Sequence, residues 1–399
     1  MNLWTINPQH VPKPAYQISL AGEDISARVQ GRLISLTLTD NRGLEADQLD
    51  LTISDSDGKL AMPSKGVKLQ LAIGWQGSPL VDKGTFTVDE VRHSGAPDQL
   101  TIRARSANLC AGLRVKRERS WHNTTLGAIV KSIAATNGLK VALTARLASI
   151  VIKHLDQTSE SDVNLLTRLC KDHGAIASIK ADRLVVFPSG QAATVSGREI
   201  SPAIITRADG DEHEYGSSDR DAYTGVMAYW LEASTGRKRE VIAGDEENLK
   251  TLRHTYATEQ DAMTAAVAEM GRIQRAAATF TLDLAVGRPE LYPETPLIVS
   301  GWKPEIDGQA WIAVKLVHSI TDSGFTTKVE AEVFSAESSH SNDSQLSGVR
   351  ARWIDSKTGK RSLVLAGKEG NVQTLSPLYT NRAIAKTRAN AALRQAQQT

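Results

Sequence analysis

Between Trp230 and Tyr256 the chain reads WLEASTGRKREVIAGDEENLKTLRHTY, and between Trp353 and Tyr379 it reads WIDSKTGKRSLVLAGKEGNVQTLSPLY. The two stretches align without a gap at an offset of 123 positions. Trp, Thr-Gly, Ala-Gly, Glu, Asn, Thr-Leu and Tyr coincide in order. Such a repeat constrains a fold tightly, because both copies must satisfy their backbone hydrogen bonds in the same way. Each copy reads as a strand, a Thr-Gly turn and a strand, followed by an Ala-rich helix near 258–275 in the first and 382–396 in the second. Duplicated scaffold explains the repeat; an extra docking surface in the second copy is the functional alternative.

Upstream, the first hundred or so residues alternate with period two. Ile34, Leu36 and Leu38 do so, then Leu49, Leu51 and Ile53, then Val67, Leu69, Leu71 and Ile73; Phe86 and Val88, and Leu100 and Ile102, continue the pattern. That period puts one strand face in a core and the other in water. Turn chemistry at DSDGK, PSKG, WQGSP and GAPD separates about six short strands, a spacing that suggests a small barrel or sandwich.

The pattern changes near Arg114. RVKRERSW reads as a charged connector. Thr125 is placed to cap a helix with Leu126, Ile129, Val130 and Ile133 on one face and Gly138 at its end. A second helix is expected to start at Ser159, with Asp162 three residues on and Val163, Leu166, Leu169 and Cys170 as its stripe. The hairpin AIASI–KADR–LVVF follows. Strands recur at 279–286, 296–300, 310–320 and 326–334, before the Ser-rich linker ESSHSNDSQLSG.

The expected architecture is therefore α+β and β-rich, with two β-barrel-like domains, an α/β insert and a C-terminal hairpin–helix repeat. The boundaries are 1–113 for the first barrel, 114–198 for the insert and 199–336 for the second barrel. Residues 337–348 form the linker and 349–399 the terminal copy.

Composition narrows the function. Apolar residues make up 41% of the 399, enough for substantial cores, and the formal charge of +2 lacks the strong basic bias of a nucleic-acid binder. Two cysteines, Cys110 and Cys170, are too few for a disulfide framework, and Cys170 reads as a buried free thiol. No stretch of about 18 apolar residues and no signal-peptide h-region appears, so no membrane span is expected.

Motifs for chemistry are missing. The sequence has no HExxH, no paired CxxC, no GxxxxGK[ST] and no GxSxG. No catalytic residue, cofactor or metal ligand is nominated. His213, in the acidic stretch DGDEHEYG, is better read as part of a solvated turn than as a cation site. Two sets of interaction candidates remain. Arg114, Lys116, Arg117 and Arg119 suit a channel wall or an acidic partner, or else an ordinary solvated connector. Trp75, Trp302 and Trp311 suit interface anchors, or else core packing.

Taken in order, several segments resemble the phage late control D family, the tail hub proteins of contractile-tailed bacteriophages. These are related to the hub region of type VI secretion VgrG spikes. The resemblance lies in DQLDLTISDSDGKLAMPSKGVKLQLAIGW, GTFTVDEV, RSWHNTTLGAIVKSIA, LDQTSESDVNLLTRLCKDHGA, YTGVMAYW and LYPETPLIVSGWKPEIDGQAW, roughly residues 15–335. It implies a structural, non-enzymatic protein that forms a homotrimer. Its two tube-type barrels per chain would let three copies present six, joining a hexameric tail tube to a trimeric tail spike. Baseplate wedge proteins would be further partners, and DNA only passing cargo. The setting implied is the virion tail baseplate, assembled in the bacterial host cytoplasm. The hub of an R-type bacteriocin or type VI-like injection particle is an alternative. A glycan-binding or cell-wall-degrading β-protein, using Trp75, Trp302 and Trp311 to stack on sugars, is an alternative of another class.

Overall fold

The computed structural model describes residues 12–106, 111–180, 183–192, 194–196, 198–217, 223–334, 348–354, 361–368, 372–379 and 381–398. Cys110, the Ser-rich linker as far as Ser347 and the Thr358-Gly359 turn lie outside them.

The alternating strands form as the period-two pattern requires. On Gln48–Ser54 and Lys68–Trp75, Leu49, Leu51, Leu69, Leu71 and Ile73 are buried in one core. Ile34 breaks the pattern: a bulge between Leu33 and Ser35 shifts the register, leaving Ile34 exposed while Leu36 and Leu38 stay buried. Among the described residues no sheet closes on itself, so the two β-barrels expected from the sequence are not seen as closed barrels. Strands from the first region and from residues 203–333 share one thirteen-stranded sheet. Its central seam is the antiparallel pairing of Trp311–Thr321 with Leu33–Asn41. Two separate cores line this sheet, one around Leu36, Leu51, Leu69 and Phe86, the other around Phe280, Leu282, Trp311 and Val329.

The α/β segment has its own core, built on Ile129, Val130, Ile133, Leu165, Leu166 and Leu169. Thr125 caps Leu126–Thr136, accepting from the Ala128 N–H at 3.2 Å. The second helix, Asp162–Asp172, starts two residues later than Ser159 would place it. Ser161 is the cap, accepting from the Asn164 N–H at 3.3 Å. Ser159 instead sits at a bulge with φ of +48°, its N–H donating to Glu118. The charged connector is also an element: Lys116–Thr125 is a strand, paired with Val151–Ser161 in a two-stranded ribbon. The hairpin Ala175–Lys180 and Arg183–Pro188 gains a parallel partner in Lys140–Leu143.

The two repeated stretches fold alike. In each, a central strand pairs antiparallel with the next strand and parallel with the one after. Gly225 faces Gly244 and Trp230 faces Tyr256 in the first; Gly348 faces Gly367 and Trp353 faces Tyr379 in the second. Helices Glu259–Ala276 and Arg382–Gln398 cover one face of each sheet, burying Ala262 and Ala266 in one and Ala385 and Ala389 in the other. Alanines on the contact face let each helix lie close against its sheet.

Candidate functional site: a charged junction of three segments

The first β region, the α/β segment and the second β region meet around a cavity of about 310 Å³, walled in part by Asp40, Arg42, Asp47, Lys83, Lys180 and Glu294. Lys180, at the end of its hairpin strand, donates to Asp40 at 2.8 Å and Asp47 at 2.5 Å. Arg42, in the turn after Leu33–Asn41, reaches Glu294 at 3.1 Å and Glu332 at 2.6 Å. Glu294 also accepts from the Gly190 N–H at 3.2 Å. Its backbone lies in the left-handed region, at φ of +71°, and its N–H donates to the Ala313 carbonyl on the neighbouring strand at 2.8 Å, which holds it there.

Electrostatics follow from burial. Desolvation pushes the Asp47 and Glu294 carboxyls up, against the pull of Lys180 and Arg42 respectively. Burial alone would lower Lys180, but Asp40 and Asp47 outweigh it and hold its amine up. For Lys83 burial outweighs the pull of Asp40, Glu290 and Asp47 and brings it down to about 8. Its amine donates to the Leu291 carbonyl at 3.0 Å and lies 3.1 Å from Nε2 of buried His318, whose Nδ1 faces the Thr327 hydroxyl. These groups satisfy one another. What the arrangement does is clamp three segments into one body.

Trp75 belongs to the same seam. Its indole donates to the Gly287 carbonyl at 3.0 Å and its ring lies 5.1 Å from that of Phe325. A Cβ on Gly287 would meet the Phe325 ring at 2.4 Å, so only glycine allows this approach. Trp311 is fully buried, donating to the Ile306 carbonyl at 3.0 Å. Trp302 packs edge-on against Phe280 at 5.4 Å, and its buried Nε1 finds no acceptor among the described residues.

The basic run divides. Arg114 and Lys116 are exposed. Arg117 and Arg119, two apart on one strand face, turn to Asp162, which is fully buried, at 3.3 and 3.4 Å. Gln157 also donates to Asp162, at 2.8 Å. His213 is not in a turn; it lies on the edge strand Gly210–Ser217, beside Phe280 and Trp302. Among the described residues, no three His, Cys, Asp or Glu side chains are grouped to hold a metal ion, and no helix is long and apolar enough to cross a membrane. Cys170 is a buried free thiol, pushed up to about 12 by burial.

A second titrating group lies where the α/β segment meets the first hairpin–helix unit. Asp172 accepts from the Tyr256 hydroxyl at 3.3 Å, and burial pushes its carboxyl up to about 6 despite Arg168 nearby. The unfolded value is roughly 3.9. The fold therefore holds this proton more tightly, a contribution complete at about pH 3.9 and below and lost as pH rises through about 6. Replacing Asp172 with Asn, which keeps the acceptor, is expected to raise the melting temperature at pH 7 relative to the native protein and to change little at pH 4. Thermal melts across this range check it; an equal displacement at both ends would assign the effect to packing.

Architecture and site together define a scaffold: a β-rich body clamped by internal charges. The same fold occurs in the tail protein from Neisseria meningitidis MC58, at a TM-score of 0.60 and 14% identity, covering 80% of this chain and 96% of that one. The sequence profile of the phage tail baseplate hub (GPD) family matches residues 46–324. The chain belongs to this family. It is 43% identical to the probable baseplate hub protein of Escherichia phage 186 over 361 residues, covering 80% of this chain and 93% of that one. Its identity to the corresponding protein of Escherichia phage P2 is also 43%, over 360 residues. The protein is a structural component of a phage tail baseplate hub.

Proposed function

We propose that the chain acts as a homotrimeric symmetry adaptor, seating a trimeric spike on one side and a hexameric tail tube on the other. The observation that carries this reading is the pair of separate cores on one continuous sheet. In this reading each core belongs to one tube-like lobe, built on an open sheet, so three chains offer six. The charged junction supports the same role, because an adaptor under load transmits force only if its lobes move as one body. Exposed Arg114 and Lys116 are the members of the basic run left to meet an acidic partner or passing DNA. Baseplate wedge proteins are the remaining partners in this reading.

Sedimentation equilibrium of the purified protein, alone and mixed with its candidate spike, tests the proposal. A three-copy mass, alone or in the mixture, is expected. A hub that remains monomeric under both conditions would overturn it.

A further inference from the structure

Away from the charged junction, the ribbon of Lys116–Thr125 and Val151–Ser161 carries a line of linked polar side chains on its exposed face. His122 and His154 are direct partners across the two antiparallel strands. Their rings stack at a centroid distance of 4.7 Å and an angle of 29°, with the two Nδ1 atoms 3.0 Å apart. Nε2 of His154 lies 2.9 Å from Oδ2 of Asp156. The Ser120 hydroxyl donates to Oδ1 of the same carboxylate at 2.7 Å.

The tautomers follow from these partners. The Ser120 hydroxyl, and after it His154, hold the Asp156 carboxyl below its ordinary value, so it accepts and does not donate. Nε2 of His154 therefore carries the ring proton, and its Nδ1 presents a lone pair to His122. A carboxylate behind a histidine does the same at metal centres, where it fixes the ring and raises the basicity of the ligating nitrogen. The spacing fits as well. Two nitrogens bound to one ion at about 2.0–2.1 Å stand roughly 2.8–3.4 Å apart, from a right angle to the tetrahedral angle. The 3.0 Å between the Nδ1 atoms falls in that interval. The other side of the ribbon, where Trp121 faces Leu155, packs on the α/β core and steadies the strands that present the two rings.

We propose that His122 and His154 chelate one divalent transition-metal ion, of the Ni²⁺, Cu²⁺ or Zn²⁺ kind, through their Nδ1 atoms. The ion takes the place of the hydrogen between these atoms once His122 carries its proton on Nε2. Asp156 is a positioning residue, bonded to the far nitrogen of His154 and not itself a ligand. His154 is 47% exposed at its side chain, so water completes the coordination. Bound there, the ion ties the two strands of the ribbon together.

Calorimetric titration of the purified chain, free of any affinity tag, with NiCl₂ tests this. One ion per chain is expected, with Cu²⁺ held more tightly than Ni²⁺ or Zn²⁺ and no binding of the oxygen-seeking Mg²⁺ or Ca²⁺. Ni²⁺ should also raise the melting temperature. His122→Gln or His154→Gln is expected to weaken binding about tenfold or more, because a second ligand is no longer held beside the first. Asp156→Ala should weaken it about tenfold, and Asp156→Asn, which keeps an acceptor, should recover part of that loss. Without metal these variants should melt as the native chain does, since the substituted side chains are exposed. Failure of the native chain to bind Ni²⁺ and Cu²⁺, or native affinity in either histidine variant, would overturn the proposal.

Discussion

Arg42→Met is expected to cost the fold about 3–5 kcal/mol, the range for removing one partner from a buried ion pair. Arg42 is 20% exposed at its side chain, and its two acceptors, Glu294 and Glu332, are 5% and 15% exposed. Glu332 keeps Arg275 at 3.6 Å. Among the described residues Glu294 keeps only the Gly190 N–H, too little to replace water around a carboxylate. Its pKa would therefore rise further, and the loss of stability would ease as pH falls and the carboxyl takes up a proton. Urea unfolding followed by circular dichroism measures the loss. Glu294→Gln in the same background tests its origin, because removing the stranded charge should recover part of it. A loss below 1 kcal/mol at neutral pH would mean that water reaches the junction and that it clamps nothing.

Trp311→Ala is expected to remove about 3–5 kcal/mol through the cavity it leaves. The ring is fully buried, 5.3 Å from Phe280 and 6.2 Å from Tyr215, and its indole N–H bonds Ile306. The damage would spread, because Trp311 begins the strand that joins both β regions. Trp75→Ala should cost less, since Trp75 is only half-buried, though it opens the seam at Gly287 and Phe325. Calorimetric melts of both variants provide the comparison. A Trp311→Ala protein of native stability that had lost affinity for a glycan would instead favour a sugar-binding role for these tryptophans.

The basic run and the tryptophans show what a linear reading sees and what it misses. Their presence and spacing were plain in the sequence. That Arg117 and Arg119 turn inward depends on a strand register and on Asp162, 43 and more residues away. The acidic stretch around His213 looked like a turn because its charges favour water. As an edge strand it satisfies that preference on one side and pairs its backbone with Ala278–Leu284 on the other. The charged junction gave no linear signal, for Arg42 and Glu294 lie 252 positions apart and each sits in an ordinary turn-like segment.

Apart from the bulge at Ile34, strand faces, the Thr125 cap, the glycine stops and the repeat at 230–256 and 353–379 were determined by the sequence alone. They depend on periodicity and on groups within a few residues of one another. Only the tertiary structure decided that Leu33–Asn41 pairs with Trp311–Thr321, merging two β regions into one sheet. Any exposed strand edge offers the same backbone donors and acceptors. Which edges meet is chosen by side-chain packing and charge pairing across hundreds of residues, and no local pattern records that choice.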